Sequence, residues 1–208
     1  GYSRKTTSGL VIIETANSGN NGASGYLLLQ SGTADGGDSG WVNISTGHAS
    51  GGTAGSISMS VGEGNSGTGG DISFTAGASL EEGGDGGAII LAAGESQLGQ
   101  GGQVIIQAGS GATGGGHIAL LAGESSKQDG GAINLTSAYS DEADTGTLSL
   151  ATGTSNQGNS GSISICTGDA KSGQAGTIVV STGTGKTGGD VAMAAGYSTS
   201  DRGGSVTI

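Results

Sequence analysis

Residues 161–168 read GSISICTG, and the same glycine-framed unit recurs along almost the whole chain. Two isoleucines, Ile163 and Ile165, alternate in it with small residues, so the unit is Gly-x-Φ-x-Φ-x-small-Gly, where Φ is a large apolar residue. The unit begins fourteen times, at Gly9, Gly25, Gly40, Gly55, Gly70, Gly87, Gly102, Gly116, Gly131, Gly146, Gly161, Gly176, Gly189 and Gly204. Nine of the thirteen spacings between these opening glycines are fifteen residues, which predicts a repeat protein built from one stacked element.

The alternation inside each unit predicts a half-buried strand of about five or six residues, because successive side chains of a strand point to opposite faces. The glycine-rich segments between units, such as residues 62–70, predict tight corners in which glycine adopts positive φ. No window carries a helical apolar stripe, and 49 of the 208 residues are the poor helix former glycine. The sequence therefore predicts an all-β fold, a parallel β-solenoid of about fifteen-residue repeats.

The number of repeats per coil follows from what each strand would pack against. One repeat per coil would leave the apolar strand facing only a glycine-rich return. Two repeats, about thirty residues, give two parallel sheets packed face to face, and we favour this arrangement. We expect residues 1–8 to be an N-terminal lead-in and residues 9–208 to form a single repeat domain.

Composition and charge exclude several classes of protein. The chain has 17 acidic and 6 basic side chains, a formal net charge of −11, which argues against nucleic acid or an anionic membrane surface as a partner. It has no proline and no Gly-X-Y triplet repeat, so it is not a collagen, and no apolar stretch is long enough to insert in a membrane. Cys166 is the single cysteine, so no internal disulfide forms. We expect the sequence to be a segment of a longer polypeptide, since it begins without methionine and stops within a repeat.

No catalytic or cofactor site is legible. Residues 183–187, GTGKT, look like a phosphate-binding loop, but Val180 stands where that motif requires glycine. The two histidines, His48 and His117, are separated by nearly five repeats, and neither pairs with Cys166 in a recognisable catalytic or metal-binding pattern. We therefore expect no enzymatic activity, no cofactor and no bound metal.

Glycine-aspartate pairs in the loops raise the question of calcium. They occur at Asp38, Asp71, Asp85 and Asp190, and they are similar to the calcium-binding β-roll of repeat-in-toxin proteins. That family uses a nine-residue unit, whereas the unit here is fifteen residues long and its aspartates do not recur at one position. Solvated carboxylates, with at most weak calcium binding, are the expectation.

Two further sets of residues are candidate sites. Asn43 and Asn134 lie in Asn-x-Ser/Thr sequons at the same middle position of the unit, and they are candidate N-glycosylation sites. The first and last units carry Val11 and Ile13, and Val206 and Ile208, in phase with the repeat and without a polar cap. These residues are the candidate end-to-end assembly strands, because an uncapped solenoid exposes unpaired strand groups to another copy.

The repeat unit resembles the glycine-rich repeats of secreted microbial and algal surface proteins, including adhesin passengers. The resemblance is carried by units such as residues 69–77, GGDISFTAG, and residues 188–196. The resemblance implies a passive extracellular scaffold, such as a filament subunit or a cell-surface stalk. We therefore expect a structural protein of the cell exterior that self-associates head to tail. The alternative is an ice-binding or surface-adhesion protein that uses a flat solenoid face, although the outward residues form no regular threonine lattice.

Overall fold

The computed structural model describes residues 7–208, and within that range the chain contains no helix and no strand. Its regular feature is a series of bends that separate the apolar segments, by which we mean the residues from each opening glycine to the end of its unit. Turns lie at residues 20–21 and 82–83, and bends lie at residues 35–37, 50–52, 65–67, 81, 97–99, 112–113, 126–128, 141–143, 156–158, 171–173, 186–187 and 199–201. The period of the sequence is thus preserved as a period of loops.

The chain divides into two units, Gly1–Ile106 and Gln107–Ile208. Residues 7–106 of the first and residues 107–208 of the second show the same alternation of apolar segments and loops. The single repeat domain over residues 9–208, with its lead-in over residues 1–8, stays a prediction.

The prediction of an all-β parallel β-solenoid is wrong. Backbone hydrogen bonds among residues 7–208 close local loops, and none of them joins the apolar segment of one repeat to that of another in a parallel ladder. The two packed sheets and the two-repeat coil are therefore absent from the described part of the chain. Each repeat has only two regular large apolar positions among about fifteen residues, and its many glycines raise the conformational entropy lost on folding.

Solvent exposure leads to the same correction. The accessible surface is 21137 Å², whereas a compact monomer of this mass would expose about 8,500 Å² and a fully unfolded chain about 28,000 Å². No residue between 7 and 208 is buried, and the large apolar side chains of every described unit are exposed. The described residues form no hydrophobic core.

A trace of the predicted alternation survives in the exposure of neighbouring side chains. In one unit, Ile89 is 55% exposed, whereas Ile90 is 83% and Leu91 is 75% exposed. The first Φ residue is therefore the most shielded of the three, yet half of its surface still faces solvent. In the first unit the order is reversed, since Val11 is 82% and Ile12 is 66% exposed, so the predicted inward and outward faces do not recur along the described chain.

The loop glycines also differ from expectation. Only two residues in the described range have positive φ, Gly67 at 75° and Gly83 at 81°. Most corners therefore do not require the left-handed conformation that glycine permits. A recurring close approach of glycine lies instead where each loop closes, at the opening glycine of the next unit.

Candidate assembly surface

Each loop closes at a neck, by which we mean the contact between an opening glycine and the small residue of the preceding unit. A Cβ atom added to the opening glycine would lie 2.9–3.8 Å from the side chain of that small residue at all thirteen junctions. The pairs are Thr15 with Gly25, Ser31 with Gly40, Thr46 with Gly55, Val61 with Gly70, Ala76 with Gly87, Ala93 with Gly102, Ala108 with Gly116, Ala122 with Gly131, Ser137 with Gly146, Thr152 with Gly161, Thr167 with Gly176, Thr182 with Gly189 and Ala195 with Gly204. The opening glycine and the small residue therefore lie close together at every neck, and an added Cβ would be tighter than ordinary contact with the small side chain at Gly40, Gly70, Gly102, Gly116, Gly131 and Gly176.

The five necks with alanine at the small position share a backbone hydrogen bond. In each of them the N–H of the opening glycine donates to the carbonyl of the preceding unit's closing glycine, at 2.8–3.0 Å. The bonds are Gly87 to Gly77, Gly102 to Gly94, Gly116 to Gly109, Gly131 to Gly123 and Gly204 to Gly196. No other neck in the described range has this bond. Alanine carries no γ atom, so the two backbone segments approach closely enough to bond.

Necks with other small residues lack this backbone hydrogen bond within the described range. The Thr15 hydroxyl donates to the carbonyl of Gly25 at 3.3 Å, and the Thr182 hydroxyl donates to the carbonyl of Gly189 at 3.2 Å. At Val61 the closest approach to an added Cβ on Gly70 comes from a γ carbon, at 2.9 Å. At these necks a γ atom of threonine or valine lies near the opening glycine, and the backbone bond of the alanine necks is not formed.

Five loops have a second element of local order, which the repeat pattern did not predict. A serine two residues after the end of the unit accepts a hydrogen bond from the backbone N–H three residues further on, at 2.9–3.2 Å. These serines are Ser96, Ser125, Ser140, Ser155 and Ser198. Their fixed place after the closing residue was visible in the sequence, and serine is a residue that stabilises turns in this way.

The candidate site residues are all exposed. Asn43 and Asn134 lie in apolar segments with their side chains open to solvent. Val11 and Ile13 belong to the part of the chain before Gln107, and Val206 and Ile208 belong to the part that begins there. All four side chains are exposed. The prediction that these residues form end-to-end assembly strands is wrong as to structure. They form no strands and lie in exposed apolar segments.

The described residues contain no cavity and no cluster suited to metal binding. No pocket is found, and no group of three His, Cys, Asp or Glu side chains comes together between residues 7 and 208. His48, His117 and the Cys166 thiol are exposed and belong to no such group. The accessible feature with a regular arrangement is therefore the series of apolar segments.

Within the described range, no helix has the length and apolar character needed to cross a bilayer. The sequence matches no protein-family model, and no curated protein or solved structure is significantly similar to it.

Proposed function

We propose that this chain is a structural protein of the cell exterior whose repeats associate with other copies, end to end, into a filament. The observation that carries the proposal is the exposure of large apolar side chains in successive units of residues 7–208, which form no core to receive them. Monomeric soluble proteins rarely expose contiguous apolar surface beyond a few hundred Å², and larger exposed areas mark interaction sites.

The periodicity favours another copy of the chain as the partner. A second copy has apolar segments at the same spacing, so contact at one unit brings the following units into register. A partner with a different spacing would lose register after a few repeats. In end-to-end contact, the segment of Val11 and Ile13 in one copy would meet the segment of Val206 and Ile208 in the next copy. Both segments expose the same type of apolar side chain.

The glycine and hydroxyl-rich loops suit a passive role. Alanine necks and serine turns hold the loops locally, and this order does not depend on a distant core. Exposed sequons at Asn43 and Asn134 add glycans to the proposed extracellular chain. A glycan there would displace no packed side chain.

Analytical ultracentrifugation across a hundredfold concentration range, followed by electron microscopy, tests the proposal. We expect concentration-dependent association and filaments at the high end of the range. A chain that sediments as a monomer throughout, with no filaments, would refute it. Ice binding relied on a flat solenoid face, which the described residues lack, and thermal hysteresis measurements address that alternative directly.

A further inference from the structure

We infer that copies of this chain pair with one another through residues 103–107, QVIIQ, aligned antiparallel about Ile105. This inference rests on the proposed self-association and adds a second contact, in the middle of the chain, to the end-to-end contact of the proposed filament. We call residues 103–107 the pairing segment. Its partner is the same segment of a second copy.

The pairing segment lies in a part of the sequence that has no charged side chains. Residues 96–123 contain no Asp, Glu, Lys or Arg, and this is the longest such run in the sequence. The chain as a whole carries a net charge of −11, so two copies repel each other, and like charges placed opposite each other destabilise paired strands. The pairing segment lies inside the charge-free run, where this repulsion is weakest.

The pairing segment exposes both its apolar side chains and its backbone. Val104, Ile105 and Ile106 are 55%, 76% and 64% exposed. The backbone N–H and C=O groups of residues 103–107 form no hydrogen bond with any other described residue. Three adjacent apolar side chains and an unpaired backbone are the features with which an uncovered segment recruits another chain.

The sequence of the pairing segment is symmetric about Ile105. Antiparallel alignment about Ile105 places Gln103 opposite Gln107 and Val104 opposite Ile106, and it pairs Ile105 with its own copy. Every position then meets a residue of its own kind, and each copy contributes the same surface. This is the isologous contact that a twofold axis generates.

The loops on both sides of the pairing segment are closed by backbone hydrogen bonds. The preceding loop is closed by the bond from Gly102 to Gly94, and the following loop by the bond from Gly116 to Gly109, both 2.9 Å. Only the apolar segments that begin at Gly87, Gly102 and Gly116 lie between two backbone-bonded necks among the described units. Closed flanking loops reduce the conformational entropy lost when the segment between them pairs.

The competing segments each lack one of these properties. The segment beginning at Gly87 lies between Asp85 and Glu95, whose charges would face those of the second copy. The segment beginning at Gly116 has Ala119 at its centre, where the pairing segment has Ile105. The segment beginning at Gly176 has a symmetric apolar centre, but neither of its necks has the backbone bond.

The experiment compares association of the full chain with that of two lysine variants by sedimentation velocity. Ile105→Lys places a charge at the centre of the proposed contact, and Ser110→Lys places the same charge in the adjacent loop of the same charge-free run. Both variants reduce the net negative charge equally. We expect Ile105→Lys to raise the concentration of half-association by at least about tenfold, equivalent to about 1.4 kcal/mol, and Ser110→Lys to leave it within about twofold of the parent value.

A cross-linking measurement tests the alignment. In a Cys166→Ser background, Ile105→Cys brings two thiols together across the twofold axis, because directly opposed residues have Cβ atoms about 4.5–5.5 Å apart. Mild oxidation should therefore produce covalent dimers of Ile105→Cys faster than of Ser110→Cys. Equal cross-linking of the two variants would overturn the alignment.

The outcomes separate this inference from the proposal on which it rests. If the parent chain associates and Ile105→Lys associates equally well, the pairing segment is wrong while self-association stands. If the parent chain does not associate at any concentration, the proposed function fails, and the inference fails with it.

Discussion

The alanine necks make a prediction that two neighbouring glycines can test. A Cβ on Gly116 would lie 3.3 Å from the Ala108 Cβ atom and 3.4 Å from both the nitrogen and the oxygen of Gly109, whereas a Cβ on Gly115 would have no atom within 4 Å. Gly116→Ala should therefore push the two backbone segments apart and weaken the 2.9 Å bond to Gly109. Gly115→Ala makes the same chemical change in open space.

The expected magnitude follows from the bond and from the flexibility of the open chain. An intramolecular hydrogen bond contributes about 0.5–1.5 kcal/mol net, and the exposed position of this one places it at the lower end. Replacing glycine by alanine at a compatible site has the opposite effect, about 0.4–1 kcal/mol of stabilisation through the unfolded chain. Both variants share the second effect, so the difference between them isolates the neck, at about 0.5–1 kcal/mol, or two- to fivefold in its closing equilibrium.

Amide hydrogen exchange measured by NMR is the assay. The amide of residue 116, corrected for its intrinsic rate, should be protected in the parent chain and in Gly115→Ala, and should lose two- to fivefold of this protection in Gly116→Ala. Equal protection in the two variants would refute the explanation of the opening glycines by loop closure.

Three further predictions concern necks, turns and charge. Ala93→Thr introduces γ atoms where the neck bond forms, so the amide of Gly102 should exchange faster, with the temperature coefficient of its proton shift as an independent check. Ser125→Ala removes the acceptor of the amide of Gln128, which should lose its protection, whereas Ser126→Ala should leave it unchanged. Raising the salt concentration screens the net charge of −11, so the concentration of half-association measured by sedimentation should fall as sodium chloride increases from about 10 to 300 mM, and an unchanged or rising value would contradict the charge argument.

The sequence predicted the repeat and its boundaries, because these depend on local chemistry. Bends such as residues 50–52 and 65–67 lie between units, where the glycine-rich segments indicated corners. The alternation of buried and exposed side chains was not predicted correctly, since Ile89 is more shielded than Ile90 in one unit but Val11 is more exposed than Ile12 in another. Local pattern was therefore sufficient to locate where the chain turns.

The tertiary arrangement could not be predicted from the same pattern. Alternation at residues such as Ile163 and Ile165 indicates which side chains would share a face, but it does not establish that burying that face offsets the ordering of a glycine-rich chain. The necks were missed because residues such as Ala108 and Thr182 were interpreted as strand positions. Their identity instead distinguishes necks with a backbone bond from necks closed through a side chain.

The most direct test of the account is hydrogen–deuterium exchange of the apolar segments, measured by mass spectrometry at a low and at a high protein concentration. Residues 7–208 of the isolated chain form no core, and we expect their apolar segments to become protected only in contact with other copies. Exchange should be near intrinsic rates where the chain sediments as a monomer, and protection should be strong, first at residues 103–107, where the chain associates. Strong protection of these segments in a sample that is monomeric by sedimentation would contradict this expectation.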